Sequence, residues 1–302
     1  VPDRPLAPAP RSQILIAFAL VYIIWGSTYL AIRIAIETLP PLLMVGSRFF
    51  IAGVILYTWM RARGTAAPSL LHWRSATIIG VLLLVLGTGV VVLAEERVAS
   101  GIAALIVSVV PLWIVLLQWI RPGGKRPNVW VSAGVVLGLA GLWMLLDPGA
   151  GGEHRNLAVE SVLLLAALSW AIGTLYAKHA PMPESKFIGT AMEMIAAGVV
   201  LITVGLAAGE SSQLALGAVS ARSWSALLFL ITFGSIIAFT AYVWLVSAVS
   251  PTLLSTYAFV NPVVAVFLGW AVLSEPLNTR MVVAAAIIVG AVALITVGRK
   301  DE

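Results

Sequence analysis

Ten stretches of this chain run for about twenty mainly apolar residues each, at 14–36, 40–62, 75–95, 98–120, 128–147, 157–179, 185–208, 224–246, 252–273 and 279–298. Roughly that length carries an α-helix across a bilayer core about 30 Å thick. In lipid, every backbone polar group must be bonded within the protein, which restricts spanning segments to helices and closed barrels. Charged residues are 10% of the 302 and hydrophobic ones 61%, against about 25% charged in a soluble domain. The expected fold is therefore an all-α membrane protein of ten transmembrane helices. The longest connections, 63–74, 121–127, 148–156 and 209–223, leave no room for a soluble domain. The Pro-rich start, VPDRPLAPAPRSQ (1–13), is expected to be a disordered cytoplasmic tail. The apolar run after it lacks a small-residue cleavage site, as expected of a spanning helix rather than a signal peptide.

Lys and Arg bias sets orientation. With the N-terminus in the cytoplasm, twelve of these residues fall inside and four outside: Arg97, Arg155, Arg222 and Arg280. Both termini are then cytoplasmic. The net charge of +5 belongs to this topology, so no nucleic-acid partner is expected. There is no cysteine, and His72, His154 and His179 lie apart in loops or at helix ends, so neither a metal site, a cofactor nor an enzyme's nucleophile is expected. GGKR (123–126) lacks the spacing of a phosphate-binding loop, which excludes ATP-driven pumping by this chain alone.

The chain also repeats itself. At an offset of 145, Trp25 falls on Trp170, Arg33 on Lys178, Arg48 on Glu193 and Gly53 on Gly198; at 151, Trp73 falls on Trp224, Pro111 on Pro262 and Trp119 on Trp270. The halves are 14–147 and 157–298. Five helices per half is an odd number, so the second half enters the membrane from the opposite face. The resulting inverted repeat is the build of many alternating-access transporters.

Arg33 and Lys178 sit near helix ends, where snorkelling to headgroups accounts for them. Arg48 and Glu193 lie about eight residues inside their spans; such groups face a bundle interior or watery cavity, either as a structural ion pair or in a substrate or proton role. Polar and aromatic stripes at helical spacing mark further cavity candidates: Trp25 and Tyr29 in helix 1, Thr88 and Glu95 in helix 3, Trp113 in helix 4, Trp170 in helix 6, Tyr242 in helix 8, Tyr257 and Asn261 in helix 9. Trp73, Trp130 and Trp224 suit the bilayer interface instead. Pro111 and Pro262 each remove a helical hydrogen bond and mark helices 4 and 9 as paired hinges, whereas small-residue spacing such as Gly134-x-x-x-Gly138 and Ala286-x-x-x-Gly290 assigns helices 5 and 10 to packing.

WGSTYLAIR in helix 1, VPLWIVLLQW in helix 4, GSIIAFTAYVWLVSAVSPTLLSTYAFVNPVVAVFLGWAVLSEPL across helices 8 and 9, and the closing GAVALI resemble the EamA branch of the drug/metabolite transporter superfamily. The resemblance implies a secondary transporter of the bacterial inner membrane, a monomer with a small-molecule substrate, similar to exporters of aromatic and other amino acids. Multidrug efflux, or lipid or nucleotide-sugar transport, is the alternative on the same architecture. One departure stands out: Arg121 in the first half stands near the position that Glu275 holds in the second. An amino acid would need a cation for its carboxylate, for which Arg48 is the candidate, and an acceptor for its ammonium, either Glu193 or Glu95. Trp25, Trp170, Tyr242 and Tyr257 would supply aromatic walls.

Overall fold

The computed structural model describes residues 10–121, 126–146, 157–249, 254 and 256–298. Ten helices run through them: α1 Arg11–Ala35, α2 Pro41–Ala62, α3 Leu70–Ala94, α4 Ser100–Ile120, α5 Val129–Leu146, α6 Leu157–Ala177, α7 Lys186–Ala207, α8 over 221–248, α9 Tyr257–Leu273 and α10 Thr279–Gly298. Eight are long and apolar enough to cross a membrane; α5 and α9 are shorter apolar helices. A helix of 17 residues rises only about 26 Å, so the expectation of ten full-length spans is met by eight among the described residues. α9 stops at Leu273 because Ser274 turns left-handed, with φ 55°, ahead of Pro276. Most of the expected N-terminal tail, residues 1–9, lies outside the described residues, and α1 already begins at Arg11.

The helices pack by a rule that survives exchanging each helix with the one five places later. α2 lies against α7 and α5 against α10, while α1–α9 is matched by α6–α4, α1–α8 by α6–α3, and α2–α8 by α7–α3. Glycines bring the central pair together. A Cβ on Gly46 would meet Ile202, one on Gly53 would meet Ile195, and one on Gly198 would fall 2.6 Å from the Phe50 nitrogen. These contacts fix an antiparallel register in which facing residue numbers sum to 248. In the α5–α10 pair, Gly134 and Gly141 approach α10, but Gly138 packs against Leu112 of α4, and Gly290 faces open space. Only part of the small-residue spacing is therefore used between these two helices. Bulky apolar side chains such as Leu15, Ile16, Trp143 and Val297 stand on the outside, as a lipid-facing surface requires.

Two features interrupt regular α-helix at related places. α3 is π-helical over Val81–Gly89, and α8 over Leu230–Ile237. α4 breaks between Val107 and Val110, with Pro111 at the start of its second piece, whereas α9 continues through Pro262. The matched prolines thus behave differently. Pro111 falls where a helix start needs no N–H, while Pro262 is held within an unbroken helix. Ser108 donates to the Leu105 carbonyl at 2.7 Å and so remains on its own helix.

Candidate functional site

Three aromatic side chains from three helices converge. Trp25 of α1 lies 5.1 Å from Tyr242 of α8 and 5.5 Å from Tyr257 of α9, and the two tyrosines meet edge to face at 5.6 Å. These are favourable separations for aromatic quadrupoles. Phe239 extends the group at 6.2 Å from Tyr242, and Tyr22 hydrogen-bonds Thr256 beside it. The rings fill the space between the helices with their own contacts.

The π-helical turn of α8 joins this cluster to a charge. The indole Nε1 of Trp25 donates to the Gly234 carbonyl at 3.1 Å, and the next residue, Ser235, accepts from Arg48 Nε at 2.9 Å. A Cβ on Gly234 would lie 3.1 Å from Arg48 Nη2 and 3.2 Å from Thr28, so the absent side chain makes room for the guanidinium. Arg48 is 6% exposed and its guanidinium carbon lies 5.0 Å from the Phe49 ring centre. Gly234 and Ser235 thus gather α1, α2 and α8.

The other half carries a related arrangement. A Cβ on Gly87, in the π-helical turn of α3, would lie 2.8 Å from Trp170 Cε3, and Ser169 donates to the Leu82 carbonyl at 2.8 Å. Thr88 follows Gly87 as Ser235 follows Gly234. Glu193 approaches this turn through its backbone, where a Cβ on Gly80 would meet its carbonyl at 2.6 Å. Trp170 therefore does not join Trp25, Tyr242 and Tyr257 as a fourth wall. No ion pair within hydrogen-bonding reach joins Arg48 to Glu193 among the described residues. The α2–α7 register explains this: Arg48 is level with residue 200 and Glu193 with residue 55, seven residues or about 10 Å apart along the axes.

A third group lies at one end of the bundle. Glu95 is fully buried, and neither carboxylate oxygen has a hydrogen-bond partner among the described residues. Arg33 donates to the Glu95 backbone carbonyl instead. That contact corrects the expectation of headgroup snorkelling for Arg33, whereas its repeat partner Lys178 is exposed. Tyr29 of α1 neighbours Glu95. Tyr29 and Trp113 pack on the core that runs through α3, α4, α5, α6 and α10. The Trp113 Nε1 and Asn261 Oδ1 atoms are also buried without a partner among the described residues.

Two further carboxylates tie this end together. Glu275 accepts from the Ser100 and Gly101 amides at 2.8 and 3.2 Å, and Glu210 accepts from the Leu42 and Leu43 amides at 3.0 and 2.8 Å. Each satisfies two of the orphan N–H groups at a helix start, of α4 and α2, where negative charge is favoured. Arg222 adds an exposed ion pair to Glu37 at 3.7 Å, and Ser223 donates to the Ile34 carbonyl at 2.9 Å. Glu275→Ala is expected to cost about 0.5–2 kcal/mol, the range for losing an N-cap, read as a lower melting temperature in detergent. Glu275→Gln, which keeps one acceptor oxygen, is expected to lose less.

The profile of the EamA-like transporter family matches residues 12–147 and again 158–297. The chain belongs to the EamA-like transporter family. Family membership makes it a multi-pass membrane transporter rather than an enzyme, built on a duplicated unit. It is 43% identical over 284 residues to YedA of Escherichia coli strain K12, an uncharacterized inner membrane transporter, covering 93% of this chain and 90% of that one. It is 26% identical over 284 residues to YoaV, an uncharacterized transporter of Bacillus subtilis, covering 91% and 94%. A crystal structure with 21% sequence identity superposes with a TM-score of 0.63 over 95% of this chain and 98% of that one, which shows the shared fold.

Proposed function

We propose that this transporter works in the bacterial inner membrane, with ten spans, cytoplasmic termini and inverted halves, and exports small amphipathic metabolites, amino acids foremost, by alternating access. The carrying observation is the junction on α8. There Arg48 meets a cluster of Trp25, Tyr242 and Tyr257 through consecutive residues, Gly234 and Ser235. A buried guanidinium suits a carboxylate, and aromatic faces suit both an apolar side chain and an ammonium group. The symmetric packing supports alternating access, since either half can adopt the other's conformation. In this orientation the end tied by Glu210, Glu275 and Arg222 is the outer one, and its tethers close that side. Pro111, at the break in α4, and Pro262 in α9 are the proposed hinges.

A lipid substrate would call for a lateral groove with a headgroup site. One groove of about 430 Å³, between Trp130, Gly290, Ala293, Leu294 and Val297, has no charged side chain in its lining and so supplies no headgroup site.

The test is efflux of labelled amino acids from liposomes holding the purified protein. Selective efflux of aromatic or large neutral amino acids is the expected result. Efflux of cationic drugs or scrambling of labelled lipid, with amino acids retained, would assign the transporter to the other branch.

A further inference from the structure

We propose that Glu95 is a proton-carrying site that couples opening of the outer end to the proton gradient; this names the coupling ion of the transporter proposed above and rests on that reading. Glu95 is 0% exposed, with neither carboxylate oxygen bonded among the described residues. A buried carboxylate without donors is costly, and the neutral acid is the form such a site accommodates. Arg33 donates to the backbone carbonyl of Glu95 and not to its carboxylate; the Arg33 and Arg48 charges favour the ionised form, while burial first and the Glu275 carboxylate second favour the neutral acid and prevail. The charged and titratable groups facing Glu95 are Tyr29 and Arg33 of α1, Arg48 of α2 and Glu275 beyond α9. On its own segment, Glu96 and Arg97 are exposed.

A divalent cation would call for several converging carboxylate oxygens, and among the described residues no group of three or more acidic, histidine or cysteine side chains comes together. A proton needs one oxygen.

The coupling follows from the neighbours. Glu275 holds α4 through the Ser100 and Gly101 amides, only five and six residues past Glu95. An ionised Glu95 repels that carboxylate, which holds the start of α4. The contact that joins α4 to the α9–α10 connection at this end then weakens. Protonated Glu95 therefore goes with the closed outer end, and proton loss with its opening. Closure on proton binding from outside, followed by release inside, gives exchange of an entering proton for an exported substrate.

Infrared difference spectroscopy of the full chain in lipid nanodiscs tests the site without a substrate. The expected result is a protonated-carboxyl C=O band at neutral pH that is lost in Glu95→Gln and kept in Glu96→Gln. A wild-type minus Glu95→Gln difference holding only carboxylate bands would overturn the proposal. So would a band that vanishes when sodium replaces potassium at constant pH. If Glu95→Gln does not fold, titration of the band in Glu275→Gln decides. Its midpoint must move to lower pH once the neighbouring carboxylate is gone, and an unmoved midpoint overturns the assignment. In liposomes with an internal pH dye, net amino-acid efflux down an outward gradient should drive protons inward in wild type and not in Glu95→Gln. Wild type that moves no amino acid yet shows the Glu95 band sinks the substrate assignment while leaving the proton site standing.

Discussion

Arg48→Gln is expected to raise the KM for amino-acid efflux about 10–100-fold. The size follows from the interaction removed: a hydrogen bond to a charged group contributes roughly 1.5–3 kcal/mol, and about 1.4 kcal/mol is a factor of ten. Arg48 is buried at the meeting point of α2 with the π-helical turn of α8, so a structural role must be separated from a binding one. The substrate does this. An amine analogue lacking the carboxylate gives Arg48 nothing to hold, and its transport should change less than tenfold in the variant. An equal loss for the amino acid and its decarboxylated analogue would mean that Arg48 only braces Ser235. Arg48→Lys should fall between the two, keeping the charge but losing the Nε–H bond at 2.9 Å.

Much of this architecture was legible in sequence, because lipid imposes one rule on every span. Run length and apolarity place all ten helices, and the paired Trp and Pro positions expose the duplication. Partner choice was not legible. The glycines of α2 and α7 recur at a spacing of seven, in Gly46 and Gly53 and in Gly198 and Gly205, but spacing does not say which helix will approach them. The sequence grouped Trp25 with Trp170 as walls of one cavity; a symmetry axis instead holds repeat partners apart, on separate π-helical turns at Gly234 and Gly87. Those turns left no trace in the hydropathy pattern, since one wider turn keeps the same apolar residues. Glu210 and Glu275 were hidden for another reason: their partners are backbone amides, which carry no sequence signal. Only the acidic residue beside Pro276, lost in the first half at Arg121, hinted that this position had a task.

The repeat is symmetric in packing and asymmetric in charge, and this difference bears on how the site selects a substrate. The exchange that takes Trp25 to Trp170 and Gly53 to Gly198 takes a guanidinium, Arg48, to a carboxyl, Glu193. The two lie about 10 Å apart along the α2–α7 pair by their register. Such a spacing prevents a direct ion pair between the two. A zwitterion carries both charges, whereas a cationic drug carries one. Charge asymmetry on a symmetric frame therefore supports the amino-acid proposal over the multidrug one.

Gly198→Leu is expected to cost the fold more than any other single apolar substitution in α7. At Gly198 an added Cβ would fall 2.6 Å from the Phe50 nitrogen and 2.8 Å from its Cα. These are backbone atoms, which cannot turn aside as a side-chain tip can, so α2 and α7 must separate along their length. Overpacking a well-filled core costs about 1–3 kcal/mol, and here the separation also loosens Gly46 against Ile202 and Gly205 against Leu42. In a membrane, close backbone approach is a main source of helix association, so little remains to offset that loss. Melting followed by tryptophan fluorescence in detergent should show a clear fall for Gly198→Leu and for its repeat partner Gly53→Leu, where the Cβ would meet the Ala191 carbonyl at 2.9 Å. Gly290→Leu is the control: nothing lies within 4 Å of its added Cβ, and its melting should match wild type. Equal melting of all three variants would mean that the α2–α7 contact is not the seam holding the two halves together.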